Sequence, residues 1–121
     1  MHPPIFAVCA AVPAVTDLLG TAPTRLYPFG EAPQRTALPY AVWQIIGGAP
    51  DNYLGGLPDI DEFSLQVDVY AATGSSASAV ATALRDAIEP HAYITRWGQQ
   101  ETDSDTGHRR INFDVSWHVP R

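Results

Sequence analysis

The sequence predicts an α+β domain: an antiparallel, mostly four-stranded sheet with an N-terminal helix and a second amphipathic helix packed on one face. Three observations carry that prediction. Between Glu62 and Pro90 the hydrophobic period changes midway. Phe63, Leu65, Val67 and Val69 alternate with polar neighbours, whereas Ala77, Val80, Ala81, Leu84 and Ile88 recur at the three-and-four spacing of a helix. From Arg110 to Val119 a second stretch alternates, with Ile111, Phe113, Val115, Trp117 and Val119 on one side. Near the N-terminus, Ile5, Val8, Cys9, Val12, Val15 and Leu19 follow a helical period.

Each element has a local cause. Pro13 cannot sit inside a helix without losing a hydrogen bond, so the N-terminal stretch reads as two pieces, Pro4 to Ala10 and Pro13 to Leu19, stopped by Gly20. Arg25 to Phe29 is a short extended piece that Pro28 confines to an edge or a turn. Glu31 to Leu38 reads as loop. Pro39 to Ile46 reads as a strand apolar on both faces, hence central. Gly47 to Asp61 follows as a long Gly- and Pro-rich loop, a length associated with function. The helix after Tyr70 takes its cap from Thr73–Ser76 and ends before Pro90. Ala92 to Trp97 is a short strand, and Gly98 to His108 a polar, acidic loop.

The 121 residues fit one domain, and an apolar share of 45% against 17% charged places the chain among globular proteins. The net charge of −6 opposes a grip on nucleic acid. All seven cations are Arg, which excludes a phosphate-loop Lys, a Schiff-base Lys and a Ser–Lys dyad. With Arg scattered except at Arg109-Arg110, there is no polybasic membrane patch either. The apolar run Ile5 to Val15 is shorter than the roughly 20 residues of a membrane span and lacks a basic leader. It reads as a core helix of a cytosolic protein, with Cys9 a buried, inert thiol.

The search for chemistry returns bland readings. Gly47-Gly48 and Gly55-Gly56 sit between strands and lead into no helix, so they read as turn, not phosphate cradle. Asp103 to Gly107 faintly resembles the start of a calcium loop but lacks the closing Glu. The four His have no metal-ligand spacing. Asp114, Ser116 and His118 share a strand face, yet same-face neighbours point in parallel and do not converge as a triad. Ser75 and Ser76 lack a nucleophile elbow. No catalytic residue, metal site or cofactor is expected. The aromatics say more: a small sheet covered on one face leaves apolar strand surface facing away. Trp43, Trp97 and Trp117 are therefore candidate interface aromatics.

The ordered set VTDLLG, RLYPFGEAP, LPYAVWQIIGG, FSLQVDVYAATGSSASAVATALRDAIEP and RRINFDVSWHV resembles the small tail-completion, tail-terminator proteins of long-tailed bacteriophages, relatives of the lambda terminator. The resemblance spans about Ala14 to Val119, and its V-D-V-Y-A block is the most specific part. It implies a non-enzymatic virion protein at the head–tail junction, assembled in the host bacterial cytoplasm. Such proteins form a ring, usually a hexamer, on the tail tube, stop its polymerisation and offer the surface onto which the head connector docks. The implied partners are further copies of the chain, the tail tube protein and a neck protein, with DNA passing through unbound.

Within that role, an acidic lumen would repel DNA phosphates, and Asp59, Asp61, Glu62, Glu101, Asp103 and Asp105 are the candidate lining. Asp51, Asn52, Tyr53 and Leu54, in the Gly-rich loop, are the candidate contact with the tube or a neighbouring subunit. The alternatives are another neck component, such as a head-completion or stopper protein, a small carboxylate-using hydrolase, and a host-derived binding module of the same topology.

Overall fold

Pro13 splits the N-terminal apolar stretch as its missing N–H dictates. In the computed structural model, which describes residues 2–121, α1 (Ile5–Ala10) ends before it and α2 (Pro13–Leu19) begins with it. Gly20 stops α2 at φ +84°, its N–H donating to the Thr16 carbonyl at 2.8 Å. The long helix α3 (Gly74–Ile88) starts at Thr73, whose hydroxyl accepts the Ser76 N–H at 3.1 Å. That satisfies one of the donors a helix start leaves unpaired.

The sheet contains β1 (Leu26–Pro28), β2 (Tyr40–Pro50), β3 (Ile60–Ala71), β4 (Tyr93–Thr102) and β5 (Arg109–Pro120), in the order β1-β2-β3-β5-β4. Its four long strands are antiparallel, as expected. The fifth, β1, is the Pro28 piece: it lies at the edge, paired parallel to β2 over Leu26–Pro28 only.

All three helices lie on one face, with α3 against β3 and β5, and with α1 and α2 against α3. Ala77, Val80, Ala81, Leu84, Ala87 and Ile88 of α3 are buried against Leu65, Val67 and Val69 of β3 and Phe113 and Val115 of β5. Each large side chain removed from water in this way contributes about 1.5–3 kcal/mol. Ile5, Cys9, Val15 and Leu19 close the outer layer of the core.

The loops are shorter than their composition predicts. Gly47 to Pro50 belongs to β2, and β3 restarts at Ile60, so the loop is confined to residues 51–59. Gly47-Gly48 is therefore strand, at a register shift between Ile45 and Gly47, and not turn. Likewise β4 runs on through Gln100 and Glu101 to Thr102, leaving a loop over residues 103–108. The β2 extension runs on beside the start of β3, and the β4 extension ends beside the first turn of α3, where Gln100 to Thr102 line a groove with Gly74 and Ala77. With their side chains exposed, nothing selects an alternating pattern.

Candidate assembly surfaces

The helix-free face of the sheet is polar. The expected apolar strand surface there comes chiefly from Val42, the Tyr40–Tyr70 stack, whose ring centroids are 5.0 Å apart, and exposed Tyr93 of β4, edge-on to His118. Register puts Tyr40, Val42 and Gln44 of β2 in line with Tyr70, Asp68 and Gln66 of β3, and these with Arg110, Asn112 and Asp114 of β5. Charge pairs lace the face together. The Arg110 guanidinium donates to Asp68 at 3.3 Å and lies 3.7 Å from Glu101. Partial burial works against the Arg110 charge, but Asp68, Tyr70 and Glu101 hold its pKa above the ordinary value. Arg96 donates to both Asp114 oxygens, at 2.9 and 3.4 Å. Burial and the charge of Asp103 raise the Tyr40 phenol; burial, then Asp68, raises Tyr70.

The same face separates the Asp114, Ser116 and His118 set. Asp114 is held by Arg96, Ser116 donates to Glu62 at 2.7 Å, and His118 sits 3.0 Å from Asp51. Each has its own partner, and no substrate atom could reach all three. The calcium-like segment is a turn: the Asp103 carboxylate accepts the N–H groups of Asp105 and Thr106 at 2.9 and 3.4 Å. Among the described residues, no three His, Cys, Asp or Glu side chains gather where they could hold a metal ion. Burial pushes the Cys9 thiol up to about 12. Among the described residues, no helix is long and apolar enough to cross a membrane.

The six candidate lining carboxylates divide between two ends of the sheet. Asp59, Asp61 and Glu62 lie at the start of β3; Glu101, Asp103 and Asp105 lie where β4 turns into β5, level with Tyr70 through Arg110. Nine strand residues separate the levels of Asp61 and Tyr70, about 30 Å. Partners already engage several of them. Arg121 forms a two-pronged pair with Asp61 at 2.9 and 3.1 Å, and Glu62 accepts from Ser64 and Ser116.

The candidate aromatics also part company. Trp43 and Trp117 face the helices and are only 8% and 3% exposed, so they belong to the core of the subunit. Register alternation explains this: Trp43 pairs with Val67, and Trp117 with Phe63, both on the helix side. Trp97, on the edge strand β4, is half exposed beside Phe113, with ring centroids 5.2 Å apart.

In the loop of residues 51–59, Leu54 is fully exposed, and Tyr53 and Leu57 are largely so. Asp51 anchors the loop's root, its N–H donating to the Ile60 carbonyl at 2.9 Å and its carboxylate meeting His118. Leu57, with Ile45 and Ile46 of β2, joins the exposed apolar set without having been singled out in the sequence. The signal was there: apolar residues flanking Gly-Gly pairs where no helix could cover them.

Residues 3–119 match the family described as tail completion protein gp17. Among solved structures, a chain from the virion of a native gene transfer agent particle superposes with a TM-score of 0.70 at 18% identity, covering 97% of this chain and 92% of that one. The bacteriophage SPP1 gp17 protein superposes with a TM-score of 0.59 at 11% identity, covering 97% and 86%. No curated protein matches. The extent of the family match, from just before α1 to the penultimate residue of β5, makes the chain a member of the tail completion protein gp17 family, structural proteins of phage virions.

Proposed function

We propose that this chain is a tail terminator: a subunit of a homo-oligomeric ring, six-membered in the terminator pattern, that caps the tail tube, stops its polymerisation and offers the docking surface for the head connector. The observation that carries the reading is a hairpin arm built for contact. Tyr53, Leu54 and Leu57 expose apolar surface at its tip, and an assembly contact would bury them. In this reading the tip touches the tube protein or an adjacent subunit, at the head–tail junction, in a particle assembled in the bacterial cytoplasm.

DNA passes through the ring without specific contacts. Asp59, Asp103 and Asp105 serve best as lumen carboxylates, because Asp61 is matched by Arg121 and Glu101 lies near Arg110. The two acidic sets would guard opposite mouths of a channel if the strands run along its axis.

The test is addition of the purified protein to isolated tails. Terminator activity predicts rings on one tail end by electron microscopy and arrest of further tube growth. Binding to filled heads instead of tails would identify another neck component and overturn the terminator reading.

A further inference from the structure

The two outer edges of the sheet are not alike. On one side β1 covers β2 only as far as Trp43, leaving Gln44 to Pro50 without a paired strand. Ala41 donates its N–H outward to Arg25, so alternation also turns the Ile45 backbone groups outward, past the end of β1. This open edge bears no charged residue; its only blunting is the register shift after Ile45 and Pro50 at its far end. On the other side, β4 forms the opposite edge with Trp97 half exposed.

We propose that the open β2 edge pairs with the β4 edge of a second copy of this chain, joining subunits head to tail through a continuous sheet. The proposal deepens the ring reading and rests on it. Direction favours the pairing: three successive antiparallel pairings make β2 and β4 run oppositely, so neighbours side by side form an antiparallel ladder. Side chains favour it as well. Ile45 pairs with Leu65 and Trp97 with Phe113, so both project from the helix side. Trp97 is level with Trp43, and a stagger of two residues between neighbours, about 7 Å, sets it over Ile45 beyond the end of β1. Symmetry selects between partners. Joining β2 to β2 or β4 to β4 is a two-fold contact complete at two copies. The charges near these edges already have partners, Asp51 in His118, Asp61 in Arg121 and Arg96 in Asp114. A contact between unlike edges repeats with rotation and closes into a ring.

Disulfide trapping tests this with the full chain. Within one subunit, β2 and β4 stand three strand spacings apart, about 14 Å. That exceeds the roughly 7 Å limit between bridged Cα atoms, so any link between positions 45 and 97 joins two molecules. Cys9 is buried and does not compete. Ile45→Cys mixed with Trp97→Cys under mild oxidation should give a covalent dimer, and the double variant a ladder of oligomers. Neither single variant alone should link, and reduced forms should keep the parent circular dichroism. Ile45→Lys, at an exposed position, should fold and lose self-association by sedimentation. Self-linking of Ile45→Cys alone would overturn the proposal in favour of a β2–β2 contact. Rings that form without the 45–97 link would overturn it while leaving the ring reading intact. Absence of both links and rings, on tail tubes as well, would remove both.

Discussion

Asp61 and Arg121 fasten the chain's last residue across to the start of β3. The two-pronged pair is reinforced by the Arg121 N–H donating to the Asp59 carbonyl at 2.8 Å. Hydrogen bonding from Arg121 holds the Asp61 carboxyl below the usual carboxylate range. A depressed folded pKa gives stability that is complete above the unfolded value, about 3.9, and is lost as pH falls through the folded value. Asp61→Asn should therefore lower the thermal midpoint slightly at neutral pH, with the difference closing in acid below that value; melting curves across pH read this directly. Gly48 makes a different demand. Its φ of +153° follows the register shift in β2, and a Cβ there would run into the Glu62 carbonyl. Gly48→Ala should cost about 1–3 kcal/mol in denaturant unfolding, since neither backbone can move without breaking the ladder.

At the scale of elements, α3 shows how far local rules reach. Its start at Thr73, its buried stripe and its stop before Pro90 were all legible, because a capping hydroxyl and a one-sided core leave marks at fixed spacing. Thr73→Ala should cost about 1 kcal/mol by chemical denaturation, with α3 amides near Ser76 losing exchange protection first. The split at Pro13 and the edge role of Pro28 were legible for a similar reason: a missing N–H acts where it stands. The far ends of β2 and β4 were not, since exposed Ile45 to Pro50 and Gln99 to Thr102 face no core that would impose alternation. Strand order was hidden too. That β3 sits between β2 and β5 is decided by long-range pairing, which no segment encodes by itself. The same gap misled the reading of Trp43 and Trp117. An apolar residue in a strand with two apolar faces carries no sign of which face the helices cover.

For the whole molecule, the division of labour runs along the strands. The helix-covered half supplies stability, and in the proposed role the projecting hairpin supplies contact. Exposed Leu54 and Leu57 add nothing to the core, so their replacement is nearly free for folding and costly only where another molecule lies against them. Leu54→Ser with Leu57→Ser should leave stability within about 0.5 kcal/mol of the parent. The same double variant should lose binding to tails or to neighbouring subunits. Hydrogen exchange separates this from a fold defect. Within residues 51–59 the backbone bonds given by Asp51 and Asn52 secure only the root, so the tip should exchange quickly in the free chain and slow on assembly. A tip equally protected in the free chain and on the tail would refute a contact role for the hairpin. A tip that stays unprotected on the tail, while edge residues near Ile45 and Trp97 gain protection, would move the contact to the sheet edges.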